Sequence, residues 1–387
     1  MGFIDRPQRV LWRRALFQIH LWIGVALGLY LIAISISGSI LVFQRELLDD
    51  APRLGDAQAG EPFSYEELVR TALDAHPGES LNNIDMRTDY RRVIRIGMKS
   101  DGGRDRIVFV DSVSRQIVED EILQDQHPVM TFLEDLHNNL LGGRTGGLVN
   151  GAGGALLFVM CLTGLVLWWP GKMNWKRGLK VKWSARWTRV NWDLHSAFGF
   201  WTLLVVAMWG LTGAYFIFPM PFQKLIVVFS PMSHLQEKTS DWQPGQPILP
   251  IDVFYSKAAQ MYPQSKLAYL YMDVYRPHGR VQIYLSGDPT VPMTLLEDVV
   301  TFEPATGEIL SDISSSNWSA GERLSLAAYS IHFGDFGGIF FKVLWALFGL
   351  ILVLITVTGY LMWWNRVVRR KIYPPRKRAN TPSRATT

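Results

Sequence analysis

Four of the eight histidines occupy matched points of a repeated pattern. His20 is followed by Gly24 and Gly38, four and eighteen residues on, and His195 is followed by Gly199 and Gly213 at the same intervals. His137 precedes Gly142, Gly143, Gly164, Trp168 and Trp169; His332 precedes Gly337, Gly338, Gly359, Trp363 and Trp364, again at identical spacings. Neutral imidazoles bind metals, and two of them at equal height on different helices can clamp a flat metal macrocycle from both faces. The glycine one turn after His20 and after His195 is expected to leave room for such a ring against the backbone.

The elements that carry these histidines are membrane helices. Four apolar runs, residues 16–43, 148–169, 196–218 and 337–364, each supply the roughly 20 helical residues that cross a bilayer. Tryptophans at their ends, Trp12, Trp168, Trp169, Trp363 and Trp364, resemble interfacial belts. The first run follows four arginines as a signal peptide would, but it is longer than a secretory core and lacks a small-x-small cleavage site, so it reads as a retained anchor.

Charge orients the runs. Segments 1–15, 170–195 and 365–387 hold nearly half of the 39 basic residues and almost none of the 34 acids, so the rest of the chain is strongly acidic against a net +5. The positive-inside rule puts the N-terminus 1–15, the basic loop 170–195 and the tail 365–387 in the cytoplasm. The basic charge is then topological and requires no nucleic-acid partner. Segments 44–147 and 219–336 fall on the other side. Each reads as a helix ("SYEELVRTALDAHP", "DVFYSKAAQMYP") followed by short strands with turn residues between them, a small α+β domain. The expected fold is therefore an α-helical membrane protein with extracytoplasmic α+β domains, built as a duplicated unit of helix, domain and helix whose copies share one orientation.

In that frame His20 and His195 lie near the cytoplasmic face and His137 and His332 near the outer face. Ionisable groups at membrane depth are costly and tend to face a partner or cofactor in the bundle interior. The expectation is two haems with His20, His195, His137 and His332 as axial ligands. No Cys-x-x-Cys-His sequence is present, so they would be non-covalent b-type haems, and six-coordinate iron of this kind suits electron transfer.

The early His, the Gly four later, the Ser/Thr-Gly near the far end of each helix and the external domains together resemble the PepSY-associated transmembrane family. Within it, the layout over residues 10–368 is similar to inner-membrane ferric-siderophore reductases of the FoxB type. The resemblance implies two haems, the four histidines as ligands, external domains of PepSY type, and reduction of a ferric siderophore in the periplasm with electrons from the cytoplasmic side. One departure is "ISG" at Ile36–Gly38, where the third run has "LTG".

Arg144 and Lys342 can be read as haem-propionate partners or as interfacial and snorkelling residues. Trp201, Trp209 and Trp345 can lie between the haems or simply pack. The lone Cys161 reads as a packing residue, and His76, His127, His234 and His278 receive no role. The sequence has no Walker A, dinucleotide-binding or zinc-protease motif, so the electron donor is expected to be quinol or another protein. Two alternatives without redox activity remain open: a metal permease, and a PepSY-type protein that binds a peptide or protein partner.

Overall fold

The computed structural model describes residues 11–48, 52, 54, 63–86, 92–99, 105–122, 125, 127–232, 238–287 and 298–372. His234 and most of the basic segments 1–15 and 365–387 lie outside those residues. The chain divides into two compact units: a helical one from residues 1–40, 136–217 and 343–387, and a second from 41–135 and 218–342.

The helical unit contains α1 (Trp12–Leu41), the end of α3 (Pro128–Asn139), α4 (Gly143–Trp168), α5 (Trp187–Trp201), α6 (Leu203–Ile217) and most of α10 (Gly338–Trp363). Three of these helices, α1, α4 and α10 with its continuation to Val368, are long and apolar enough to cross a membrane. The expected single span 196–218 is instead a bent pair, α5 and α6, meeting at 66°. The break is at Thr202, which is buried and whose hydroxyl donates to the Phe198 carbonyl at 2.8 Å, a back-bond that bends helices. Helix α5 also begins well inside the segment read as a basic loop, so His195 stands near its middle rather than at a helix start.

Small residues let these helices approach closely. A Cβ on Gly154 would lie 2.8 Å from the Gly210 carbonyl oxygen, and one on Gly210 would lie 2.8 Å from that of Gly154, so α4 and α6 touch backbone to backbone. The Arg13 guanidinium binds the Trp169 carbonyl at 3.0 Å and also that of Leu167, satisfying the C-terminal end of α4.

Among the described residues the second unit holds α2 (Tyr65–Ala75), α7 (Pro219–Val227), α8 (Ile251–Met261), α9 (Ala320–Phe333) and eight strands: β1 (Ser80–Asp85), β2 (Val93–Lys99), β3 (Asp105–Asp111), β4 (Ile117–Ile122), β5 (Lys266–Asp273), β6 (Arg280–Ser286), β7 (Asp298–Phe302) and β8 (Ile309–Ser314). Sequence separates these strands into two domains, but the structure joins them in one antiparallel sheet ordered β4-β3-β2-β1-β5-β6-β7-β8. The seam is the β1–β5 pairing, with Asn83 opposite Tyr271 and Ile84 opposite Leu270. One core spans both halves: Leu68, Val69 and Ala72 of α2 and Phe254 and Ala258 of α8 bury with Ile84, Ile96, Leu270 and Ile283 of the strands.

The duplication is legible in detail within this unit. Glu66 and Asp252 occupy the same position of α2 and α8, and each caps the other helix. Asp252 accepts from the Tyr65 amide at 2.9 Å and from the Ser64 hydroxyl, while Glu66 accepts from the Ile251 amide at 2.8 Å. The turn after β3 and the turn after β7 are also alike. Asp111 and Glu303 each accept backbone amides of their own turn, and the residue four later, Arg115 or Gly307, is left-handed in both.

Candidate functional site

His20 on α1 and His195 on α5 come together in the helical unit, with ring centres 6.4 Å apart and planes at 88°. Each ring is held by a Thr-Gly pair on a spanning helix. His20 Nδ1 lies 3.0 Å from Thr163 Oγ1, and a Cβ on Gly164 would lie 3.3 Å from the His20 ring. His195 Nδ1 donates to the Ile355 carbonyl at 2.9 Å, with Thr358 Oγ1 at 3.3 Å, and a Cβ on Gly359 would lie 3.2 Å from its ring. Asn191, one turn before His195, donates from Nδ2 to the Thr358 carbonyl at 3.0 Å and ties the seat to the helix that bears His195.

His137 is seated in the same way. Its Nδ1 donates to the Ile34 carbonyl at 3.1 Å, with Ser37 Oγ also at 3.1 Å, and a Cβ on Gly38 would lie only 2.7 Å from its ring. Burial pushes its pKa below the ordinary histidine value, favouring the neutral ring.

The three hydroxyl protons are already committed. Thr163 donates to the Met160 carbonyl at 3.0 Å, Thr358 to Leu354 at 2.8 Å, and Ser37 to Ala33 at 2.8 Å. At His195 and His137 the carbonyl beside Nδ1 can only accept, so Nδ1 carries the proton, and at His20 the Thr163 hydroxyl can accept from Nδ1 in the same way. A neutral imidazole of this kind carries its lone pair on Nε2, the tautomer that metal-ligating histidines adopt when their other nitrogen donates to a carbonyl. The spacing suits a bound metal as well. Two imidazole–metal bonds of about 2 Å each, with the half-rings behind them, sum to about 6 Å between ring centres. The donor set at His20 and His195 thus fits a bis-histidine haem.

The glycines read as ring space behave differently from one another. Gly199 faces open space, whereas a Cβ on Gly24 would lie 3.2 Å from the Met160 methyl. The glycines that make room for the histidine rings themselves are Gly38, Gly164 and Gly359. The signal for them was present in the sequence as Ser/Thr-Gly repeated at a fixed offset, and the substitution in "ISG" keeps both the hydroxyl and the glycine.

His332 lies on α9 in the second unit, where its ring meets Phe333 edge-on at 5.8 Å. Arg144 is exposed in the first turn of α4. Lys342 is buried, and its ammonium pairs with Glu46 at 2.6 Å, so its charge is already answered by this chain. Trp209 and Trp345 meet edge to face at 6.2 Å, while Trp201 is largely exposed and donates to the Leu179 carbonyl. Cys161 is buried in α4. His76 pairs with Asp120, and His278 hydrogen-bonds the Ser240 carbonyl. His127 lies just before α3. Among the described residues no group of three or more His, Cys, Asp and Glu side chains could hold a metal ion.

Comparison with protein families matched residues 17–366 to the PepSY-associated TM region. Comparison with curated proteins found no match.

Proposed function

The chain belongs to the PepSY-associated transmembrane family, and on that premise we propose that it is a di-haem membrane reductase that passes electrons to a ferric siderophore. The observation that carries this reading is the His20–His195 pair: 6.4 Å between ring centres, both Nδ1 atoms engaged, and each ring seated by its own Thr-Gly. His20 and His195 would hold one b-type haem. By the repeat, His137 and His332 are assigned to a second. Bound in this way, haem would supply one-electron exchange between Fe(III) and Fe(II).

The residues of the chain have defined parts in this scheme. The Thr163 and Thr358 hydroxyls and the Ile355 carbonyl hold the rings in one tautomer. Gly164 and Gly359 hold them in one position, and the spanning helices keep bulk water away. The donor is a quinol or a protein on the cytoplasmic side, and the acceptor is the ferric chelate in the periplasm. A quinol gives two electrons and two protons, so one quinol reduces two ferric siderophores. Siderophores hold hard Fe(III) through oxygen ligands, and each Fe(II) formed is bound more weakly and leaves for uptake.

The test is a reduced-minus-oxidised visible spectrum of the purified protein with a haem count, repeated for His20→Ala and His137→Ala, followed by ferric-siderophore reduction. Two b-type haems are expected, with a different one lost in each variant and Fe(II) formed only by protein that keeps both. A colourless, fully folded protein from haem-supplied cells would overturn the proposal and favour the partner-binding alternative.

A further inference from the structure

The first half of the chain contains a polar clamp that the repeated pattern does not explain. The Asn150 side chain on α4 donates from Nδ2 to the His137 carbonyl at 2.7 Å and to the Asn138 carbonyl at 3.0 Å. These are among the last carbonyls of α3, which have no partner within their own helix. The other end of the amide is engaged as well: the Tyr30 hydroxyl lies 2.9 Å from Asn150 Oδ1, its nearer acceptor, and 3.2 Å from the Asn150 carbonyl. With Tyr30 donating to the oxygen and two carbonyls facing the nitrogen, only one orientation of the amide satisfies every atom.

The surrounding backbone is built around this contact. Leu140 and Leu141, directly after α3, have φ of 52° and 58°, a conformation that is costly for side-chain-bearing residues and persists only when its surroundings enforce it. A Cβ on Gly146 would lie 1.7 Å from the Asn139 carbonyl oxygen, so only glycine allows α4 to come this close to the end of α3. At the offsets that superpose the matched histidines, Trp345 stands where Asn150 does and Val205 where Tyr30 does. The clamp therefore belongs to the first half alone.

We propose that Asn150, oriented by Tyr30, is a positioning residue that holds the backbone bearing His137 and so keeps its ring in the Ser37–Gly38 seat. Its importance for a bound haem rests on the reading of His137 as an axial ligand. The contact with the end of α3 does not. Asn150→Asp is the sharpest variant: it keeps size and shape but presents a carboxylate to two carbonyls and cannot donate to them. Tyr30→Phe leaves the amide in place and frees its orientation.

The first measurement is NMR of ¹⁵N-histidine-labelled protein prepared without haem, with His137 assigned by its loss in His137→Ala. Asn150→Asp should make the His137 Nδ1–H exchange at least tenfold faster or vanish, while the His20 and His195 signals stay in place; Tyr30→Phe should give a smaller change of the same kind. An unchanged His137 signal in Asn150→Asp would overturn the proposal, and so would equal disturbance of all three histidines, which signals general loosening. The second measurement is electron paramagnetic resonance of the haem-loaded ferric protein, in which only one of two low-spin signals should move. A wild-type protein without haem would sink the reductase reading, and the NMR result would still decide the role of Asn150.

Discussion

A seat for a histidine here takes two residues: a hydroxyl whose own proton is spent on its helix, and a glycine that leaves the ring its space. Gly359 lies against the His195 ring, so its replacement should act locally. Gly359→Val is expected to displace the His195 ring; under the proposed di-haem reading it would abolish the haem assigned to His20 and His195 while sparing the other, read from haem content and the two low-spin signals. Carboxylates in the second unit are held as specifically. Asp111 accepts both Nε and Nη2 of Arg92 at 2.9 Å, and this pairing holds its carboxyl well below the usual range. A depressed carboxyl pKa contributes stability that is present above the unfolded value, about 3.9, and is lost as pH falls toward the folded value. Wild-type protein should therefore lose melting temperature below about pH 4 more steeply than Asp111→Asn, and the two curves should converge in strong acid. Parallel curves would show that the Arg92 pair contributes nothing to folding.

Helices in this protein are completed by groups outside themselves. Asp252 caps α2 and Glu66 caps α8, so each removal exposes the N-terminus of the opposite half's helix. Asp252→Ala should cost about 1 kcal/mol, within the range for lost N-caps, and a double-mutant cycle with Glu66→Ala should show a coupling of about 0.5 kcal/mol or more, because each carboxylate bonds the amide beside the other. Thermal or denaturant unfolding of the two single variants and the double variant measures this. The bend at Thr202 is a separate matter: an apolar run of sufficient length predicts one span, but the run breaks at Thr202 into α5 and α6, meeting at 66°, and His195 stands on the first of them. Hydropathy averages over the break and does not register it.

At the scale of the molecule, duplication has produced halves that are not separate bodies. The β1–β5 seam continues one sheet through both copies, and Phe254 from the second copy and Leu68 from the first share one core. A first half expressed alone would present β1 as an unpaired edge above an open apolar face, the combination that drives aggregation. Cutting the chain within the connection 170–186 should therefore give fragments that are insoluble or degraded when expressed singly and that co-purify when expressed together in detergent. A stable, monomeric first half would contradict the shared core.

The sequence by itself determined the periodic features. Apolar run length marked the membrane helices, alternation and turn residues marked the strands, and equal intervals marked the duplication and the four matched histidines, because each of these is a local or strictly periodic property of the chain. Only the tertiary structure decided what depends on distant residues meeting: that two strand segments form one sheet, that Ser/Thr-Gly pairs seat the histidines from other helices, that Lys342 is spent on Glu46, and that Asn150 and Tyr30 hold the end of α3. Each of those rests on a hydrogen bond, an ion pair or a missing Cβ between residues far apart in sequence, and spacing along a single chain carries no record of which side chain will stand opposite which.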